Sequence, residues 1–325
     1  MLRGIVDLLI AVGVATVATT SQAQEQNYPS RPVHVLAAAA PGGNPDVLAR
    51  LLSQRLSEVL GQPFVVENVP GAGGILAAKR IADASPDGYT LMLNDSGALA
   101  ININMSPEAT YKLKDFTPIT ALATVPTALV IIPSVPAQNL SEFIALAKSK
   151  PDVMSFGSAG AGSIHHLTME IFAERTGIKL LHVPYRGGTA LVNGLLTGEI
   201  QAGWSGLPNV ISHITAGKLR GLCVSVLKRA VPTCDEAGIK GFDIADMLGL
   251  QGPAGMAPKA PKAVERLQAA IAKIMREPAM AERMAILGMD MQENGTANYV
   301  RFMQDDFDRY AKVIDRLGLS RKENM

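Results

Sequence analysis

The 325-residue chain is 48% hydrophobic and 18% charged, with a formal net charge of +1. No basic excess points to nucleic acid, and no polybasic tract points to an anionic membrane surface. At roughly 100–200 residues per domain the length predicts two domains, and the two cysteines, Cys223 and Cys234, are not spaced as a zinc or redox motif.

The chain begins with one positive charge, Arg3, followed by an apolar stretch from Ile5 to about Val17 and a small-x-small site at Ser21-Gln22-Ala23. That order predicts a cleaved signal peptide over residues 1–23, although Asp7 inside the apolar run is atypical. The run is shorter than the roughly 20 apolar residues a membrane-spanning helix needs, and no later segment meets that length. Export to the periplasm is therefore expected. There Cys223 and Cys234 permit one disulfide, while the apolar run around Cys223 suits two buried thiols equally well.

After the signal peptide, short apolar runs alternate with amphipathic stretches, which predicts α/β architecture with mostly parallel strands. Val33–Ala37 reads as a strand, and a helix carrying Leu48, Leu52 and Leu56 then ends at Gly61. Strands at Phe64–Glu67 and Thr90–Leu93 flank a glycine-rich turn and a helix reaching Ala84. The third strand ends in the polar cluster Asn94-Asp95-Ser96-Gly97. A second series starts near Ala128–Ile132 and continues with a helix at Leu140–Lys148, a strand at Met154–Phe156 and a helix at Ser163–Thr176. Strands at Leu180–Val183 and Leu219–Val226 follow. From Lys262 onward the chain reads as helical, with breaks at Pro278 and Gly288 and a last helix from Thr296 to about Leu317. No flexible linker separates the two series, so two lobes around a crevice are expected: 24–127 with 248–325 as one, and 128–247 as the other. The terminal helices are expected to pack on the first lobe.

Open α/β sheets bind ligands in the loops at the carboxyl ends of their strands. The first such loop holds Ala40, Pro41, Gly42, Gly43, Asn44 and Asp46, with Asn44 as a favoured N-cap and Pro45 at the first helical position. Glycines let backbone approach a ligand, and the free amides and positive dipole end of a helix make an anion site without a charged side chain. A second loop repeats the design with Ser158, Gly160, Ala161, Gly162 and the N-cap Ser163, and His165 follows in the first helical turn. A third does so with Tyr185 and Gly187. Ser96 and Ser205 are further candidates at strand ends. One glycine-rich turn before a helix is usually only a tight connection; three in one chain argue for a ligand cleft.

Motifs for other chemistry are missing. There is no P-loop ending, no dinucleotide glycine spacing and no Gly-x-Ser-x-Gly elbow. His165 and His166 are adjacent, so on a helix they diverge and cannot share a metal. No catalytic residue, metal or cofactor is expected, and Trp204 reads as core or cleft wall.

The same residues resemble the solute receptors of tripartite tricarboxylate transporters, the Bug receptors. The markers are Tyr28–Pro32, Pro41-Gly42-Gly43 with Asp46 and Arg50, Gly61–Asn68 with Pro70–Gly74, and Pro86–Thr90. The second half adds Gly162-Ser163, His166-Leu167, His182–Gly187, Ala216–Arg220 and Pro253–Gly255. The resemblance implies a type II periplasmic-binding-protein fold that closes on a carboxylate, held by the loops Ala40–Asp46 and Ser158–Ser163 largely through backbone amides and water. It implies a carboxylate ligand, whether a citrate-like acid, a dicarboxylate, an acidic amino acid or a nicotinate-like or aromatic acid, delivered to membrane permease subunits by a monomeric receptor. The expectation for this chain is a mono- or dicarboxylate, and the apolar Ala37–Ala40 leaves room for a bulkier, aromatic acid. A receptor of the same fold that presents its acid to a membrane sensor kinase is the alternative. The chain departs from the family pattern in being uncharged at Gly194, Gln201 and Ser205, and in carrying Met247 where tryptophan is common. The uncharged Ser205 disfavours an amino acid as ligand.

Overall fold

The computed structural model describes residues 28–225, 231–292 and 295–320. The expected signal peptide over 1–23, and Val226 at the end of one expected strand, lie outside these residues.

In chain order the first half contains β1 (Val33–Ala37), α1 (Asn44–Leu60), β2 (Phe64–Asn68), a 3-10 turn at Ala72–Gly74, α2 (Ile75–Ala82) and β3 (Thr90–Asn94). A π-helical turn at Gly97–Ile101 then runs into the one-turn α3 (Asn102–Met105). A long strand, β4 (Phe116–Ile131), leads into α4 (Leu140–Ser149), β5 (Ser155–Ser158), α5 (Ile164–Thr176), β6 (Leu181–Pro184) and α6 (Gly188–Leu196). β7 (Ala202–Gly206), α7 (Leu207–Thr215) and β8 (Arg220–Val224) complete the second half. The chain returns along β9 (Ala245–Pro253) and ends with α8 (Met256–Lys259), α9 (Pro261–Met275), α10 (Pro278–Ile286), β10 (Asp290–Met291) and α11 (Thr296–Arg316).

The strands form two α/β lobes that share β4. One half of the sheet runs β2-β1-β3-β9-β4 and the other β4-β7-β5-β6, with β8 and β10 also paired to β4. β4 pairs with β9 up to Pro126, then with β7 and β8 from Thr127 or Ala128 onward. The sheet is mixed rather than mostly parallel: β1 and β5 lie parallel to their neighbours, whereas every pairing of β4 and β9 is antiparallel. The first twelve residues of β4, and all of β7 and β9, have no counterpart in the sequence-based expectation. These strands are buried on both faces, so they lack polar alternation. In β4, moreover, Pro118 lies at a register shift and Pro126 just before the change of partner strand, where a proline reads as a breaker.

Apolar faces of the helices close the core of each lobe. Leu48, Leu52 and Leu56 of α1 and Leu267, Ile271 and Ile274 of α9 pack on the first lobe; Leu167 and Phe172 of α5 pack with Trp204 in the second. Helix α1 stops where Gly61 takes the left-handed conformation, φ 73°. Cys223 and Cys234 form a disulfide in the second core. α9 and α10 pack on the first lobe as expected, but α11 bridges both. Tyr299 near its start packs with Ala121 and Met247, whereas Tyr310 and Ile314 enter the second core. Arg316 then grips Glu174 of α5 through two hydrogen bonds of 2.7 and 2.8 Å. The amphipathic period of α11 marks a buried stripe but does not say which lobe the stripe meets.

Candidate functional site

Three glycine-rich loops meet across the gap between the lobes. In the loop before α5, Ser163 is the N-cap: its hydroxyl accepts from the His166 amide at 3.3 Å and donates to the Gly160 carbonyl at 2.7 Å. Gly160 and Gly162 have φ of 124° and 75°. A Cβ on Gly162 would stand 2.0 Å from Asn102 Oδ1, and one on Gly73 would stand 2.9 Å from the Ala161 carbonyl oxygen. Backbone of one lobe therefore lies directly against the other, an approach only glycine permits. On the opposite side, Thr189 Oγ1 donates to the Pro41 carbonyl at 3.1 Å, and a Cβ on Gly187 would meet Ala40 Cβ at 3.2 Å.

These contacts enclose a cleft of about 520 Å³, counted to its mouth. Of the sequence candidates, Ala40, Gly43, Asn44, Ser163, His165 and Gly187 line it. The first turns of α1, α5 and α6 thus border one space, where amides without intrahelical partners give a positive potential. Asn44 is the first residue of α1; its N-cap is Gly43, which supplies no side-chain cap, and Asn44 Oδ1 has no hydrogen-bond partner in the protein. His165 is 94% buried and neither ring nitrogen has a protein partner; burial holds its pKa down to about 4, so the imidazole is neutral.

The remaining candidates support the loops or stand behind them. Asp46 accepts from the Gly42 amide and from Asn68, both at 2.8 Å, and pairs with Arg50 at 2.9 Å. Burial works against its charge, but these bonds outweigh it and hold its pKa below the ordinary value. Ser158 Oγ bonds His182 and the Gly160 backbone. Ala161 sits at the lobe contact already described. The Tyr185 ring fills the space left by Gly157 and Gly194. Ser205 is fully buried, with no partner for its hydroxyl, and Ser96 Oγ donates to Asp306 at 2.8 Å and accepts from the Met247 amide.

Sequence reasoning missed Asp95, Asp246 and Asn209, all of which line the cleft. Asp95 follows β3 directly, so its position at a strand's carboxyl end was the available signal. Asp246 lies in β9, a strand the pattern did not reveal. Asp95 accepts from the Gly97 and Ala98 amides at 3.0 and 3.3 Å, and Asp246 accepts from the Ser96 amide at 3.3 Å. Burial raises the pKa of Asp95 to about 6 against those amides. Burial first, and then the charges of Asp95 and Asp306, raise Asp246 well above the ordinary carboxylate range.

The sequence matches the model of the tripartite tricarboxylate transporter family receptor over residues 48–319. The chain belongs to this receptor family. It is 33% identical to Protein BugT of Bordetella pertussis, with 97% of this chain and 98% of that protein covered. Among solved structures it is similar to that of Rpa4515 of R. palustris with adipate, at TM-score 0.85 and 29% identity, covering 90% of this chain and 99% of that one. It is also similar to MatC from Rhodopseudomonas palustris with bound malate, at TM-score 0.83 and 28% identity over 88% and 100% of the two chains. The positions expected to depart from the family pattern have defined surroundings in this chain. At Gly194 a Cβ would stand 2.4 Å from the Tyr185 hydroxyl oxygen, so the Tyr185 ring leaves no room for a side chain. Gln201 Oε1 instead accepts from Ser155 N and Oγ at 2.8 and 3.0 Å. Met247 is buried with Tyr299 against Ala121.

Proposed function

We propose that this receptor works in the periplasm, captures a small mono- or dicarboxylate between its lobes and hands it to the membrane permease subunits of a tripartite transporter. The first lobe comprises 24–127 and 248–325, and the second 128–247. The observation that carries the proposal is the convergence of three helix starts on one cleft whose lining, among the described residues, holds neither lysine nor arginine. Such a site binds an anion through backbone dipoles, with the unpartnered His165 beside them as a hydrogen-bonding group. Adipate in Rpa4515 and malate in MatC support a carboxylate as the class of ligand.

A ligand that binds only the folded state raises the melting temperature by mass action. Thermal-shift and calorimetric titration of the mature protein against a panel of carboxylic acids is expected to reveal at least one that stabilises it. A sugar or a metal cation that stabilises the protein where no acid does overturns the proposal.

A further inference from the structure

The cleft lining is electrically uneven. The starts of α1 and α6 face each other, Gly187 against Ala40 and Thr189 against Pro41, and Asp46 at the start of α1 is turned to the Gly42 amide and is not among the lining residues. Asp95 and Asp246 do line the cleft. Asp95 is adjacent to the start of α5, since the Asp95 carboxylate and the Ile164 amide lie 3.0 and 3.2 Å from where a Cβ on Gly97 would sit. The amide end of that helix is thus already faced by an anion of the protein itself.

Both acids line the cleft, and among the described residues the only other titratable side chain lining it is the neutral His165. Asp306, behind them, has Arg309 at 2.6 Å; among the described residues Asp95 and Asp246 have amide donors but no cation. Burial, and for Asp246 also the charge of Asp95, disfavours the ionised forms of these acids, and a positive group beside them would favour those forms. His165, 94% buried with both ring nitrogens unpartnered, independently marks the same space as a place where a polar ligand belongs.

We propose that the acid this receptor captures also carries a positively charged nitrogen, and that Asp95 and Asp246 form the subsite that receives it. The inference rests on the carboxylate reading above and narrows it to amino-carboxylates. It also replaces the expectation, drawn from the uncharged Ser205, that an amino acid is disfavoured: the acidic groups stand on β9 and after β3 instead.

Calorimetric titration with straight-chain amino-carboxylates, dicarboxylates and plain monocarboxylates of matched length tests it. At neutral pH an amino-carboxylate is expected to bind about ten- to a hundredfold more tightly than its length-matched dicarboxylate, and Asp95→Asn or Asp246→Asn to remove that preference. The wild-type comparison stands even if one variant folds poorly. Dicarboxylates binding as well as amino-carboxylates, or a preference unchanged in both folded variants, overturns the subsite and leaves the carboxylate reading intact. Failure of every acid in the panel overturns both.

Discussion

Replacing Asp95 by Asn changes a charge but preserves the acceptor that the Gly97 and Ala98 amides use. The sign of the stability effect follows from the proton. Asp95 has its pKa raised from 3.8 to about 6 in the fold, so the folded state holds the proton more tightly than the unfolded chain. Stability of the ligand-free protein from this group is therefore highest below about pH 4 and is lost as pH rises through about 6. Asp95→Asn is expected to be more stable than wild type near about pH 8, and the advantage should shrink toward about pH 4. Urea unfolding at both pH values measures it, and an equal difference at the two would show that Asp95 does not carry the shift. Gly162 makes the opposite point about shape. With φ of 75° and Asn102 Oδ1 only 2.0 Å from a would-be Cβ, Gly162→Val is expected to cost roughly 1–3 kcal/mol and to abolish acid binding. Unfolding and titration of that variant check both effects.

At the scale of the element, two helix caps separate stability from binding. Ser163 caps α5 at the cleft, and Asn139 caps α4 away from it by accepting from the Glu142 amide at 2.9 Å. Ser163→Ala and Asn139→Ala are each expected to cost about 1 kcal/mol of stability. Only Ser163→Ala should weaken acid binding; equal affinities for the two variants would place the anion elsewhere. The Cys223–Cys234 disulfide, with a sequence separation of 11, is a third element-scale feature. A loop of that size is expected to contribute about 3 kcal/mol, so Cys223→Ala with Cys234→Ala should lower the urea midpoint accordingly. The cysteine spacing left bridge and buried thiols equally open, because pairing depends on how β8 and the segment after it approach each other.

For the whole molecule the connections between lobes decide the mechanics. β4 passes from one sheet half to the other at Pro126–Thr127, β9 returns beside it, and α11 crosses to the second core. Asp246 lies in β9 and Asp306 in α11, and Ser96 bonds to both. A ligand at Asp95 and Asp246 therefore touches the strands about which the lobes would hinge. The loops meet across the cleft through Thr189 and Pro41, a contact that opening of the lobes would break. Small-angle scattering is expected to give a larger radius of gyration without ligand than with it, and an unchanged radius would count against a hinged trap.

By itself the sequence determined the local features. The α/β alternation, the stop of α1 at Gly61, the Ser163 cap and the glycine-rich loops all rest on short-range preferences of backbone and side chain. The family motifs carried the fold in the same way. Only the tertiary structure decided the rest. β4, β7 and β9 are covered on both faces by other parts of the chain, so their residues carry no periodic signal. Helix α11 could have buried its stripe on either lobe. Asp95 and Asp246 are about 150 residues apart in the sequence, and only the pairing of β3 with β9 brings them into one cleft. Local chemistry made glycine-rich helix starts; long-range packing brought two acids into the cleft they border.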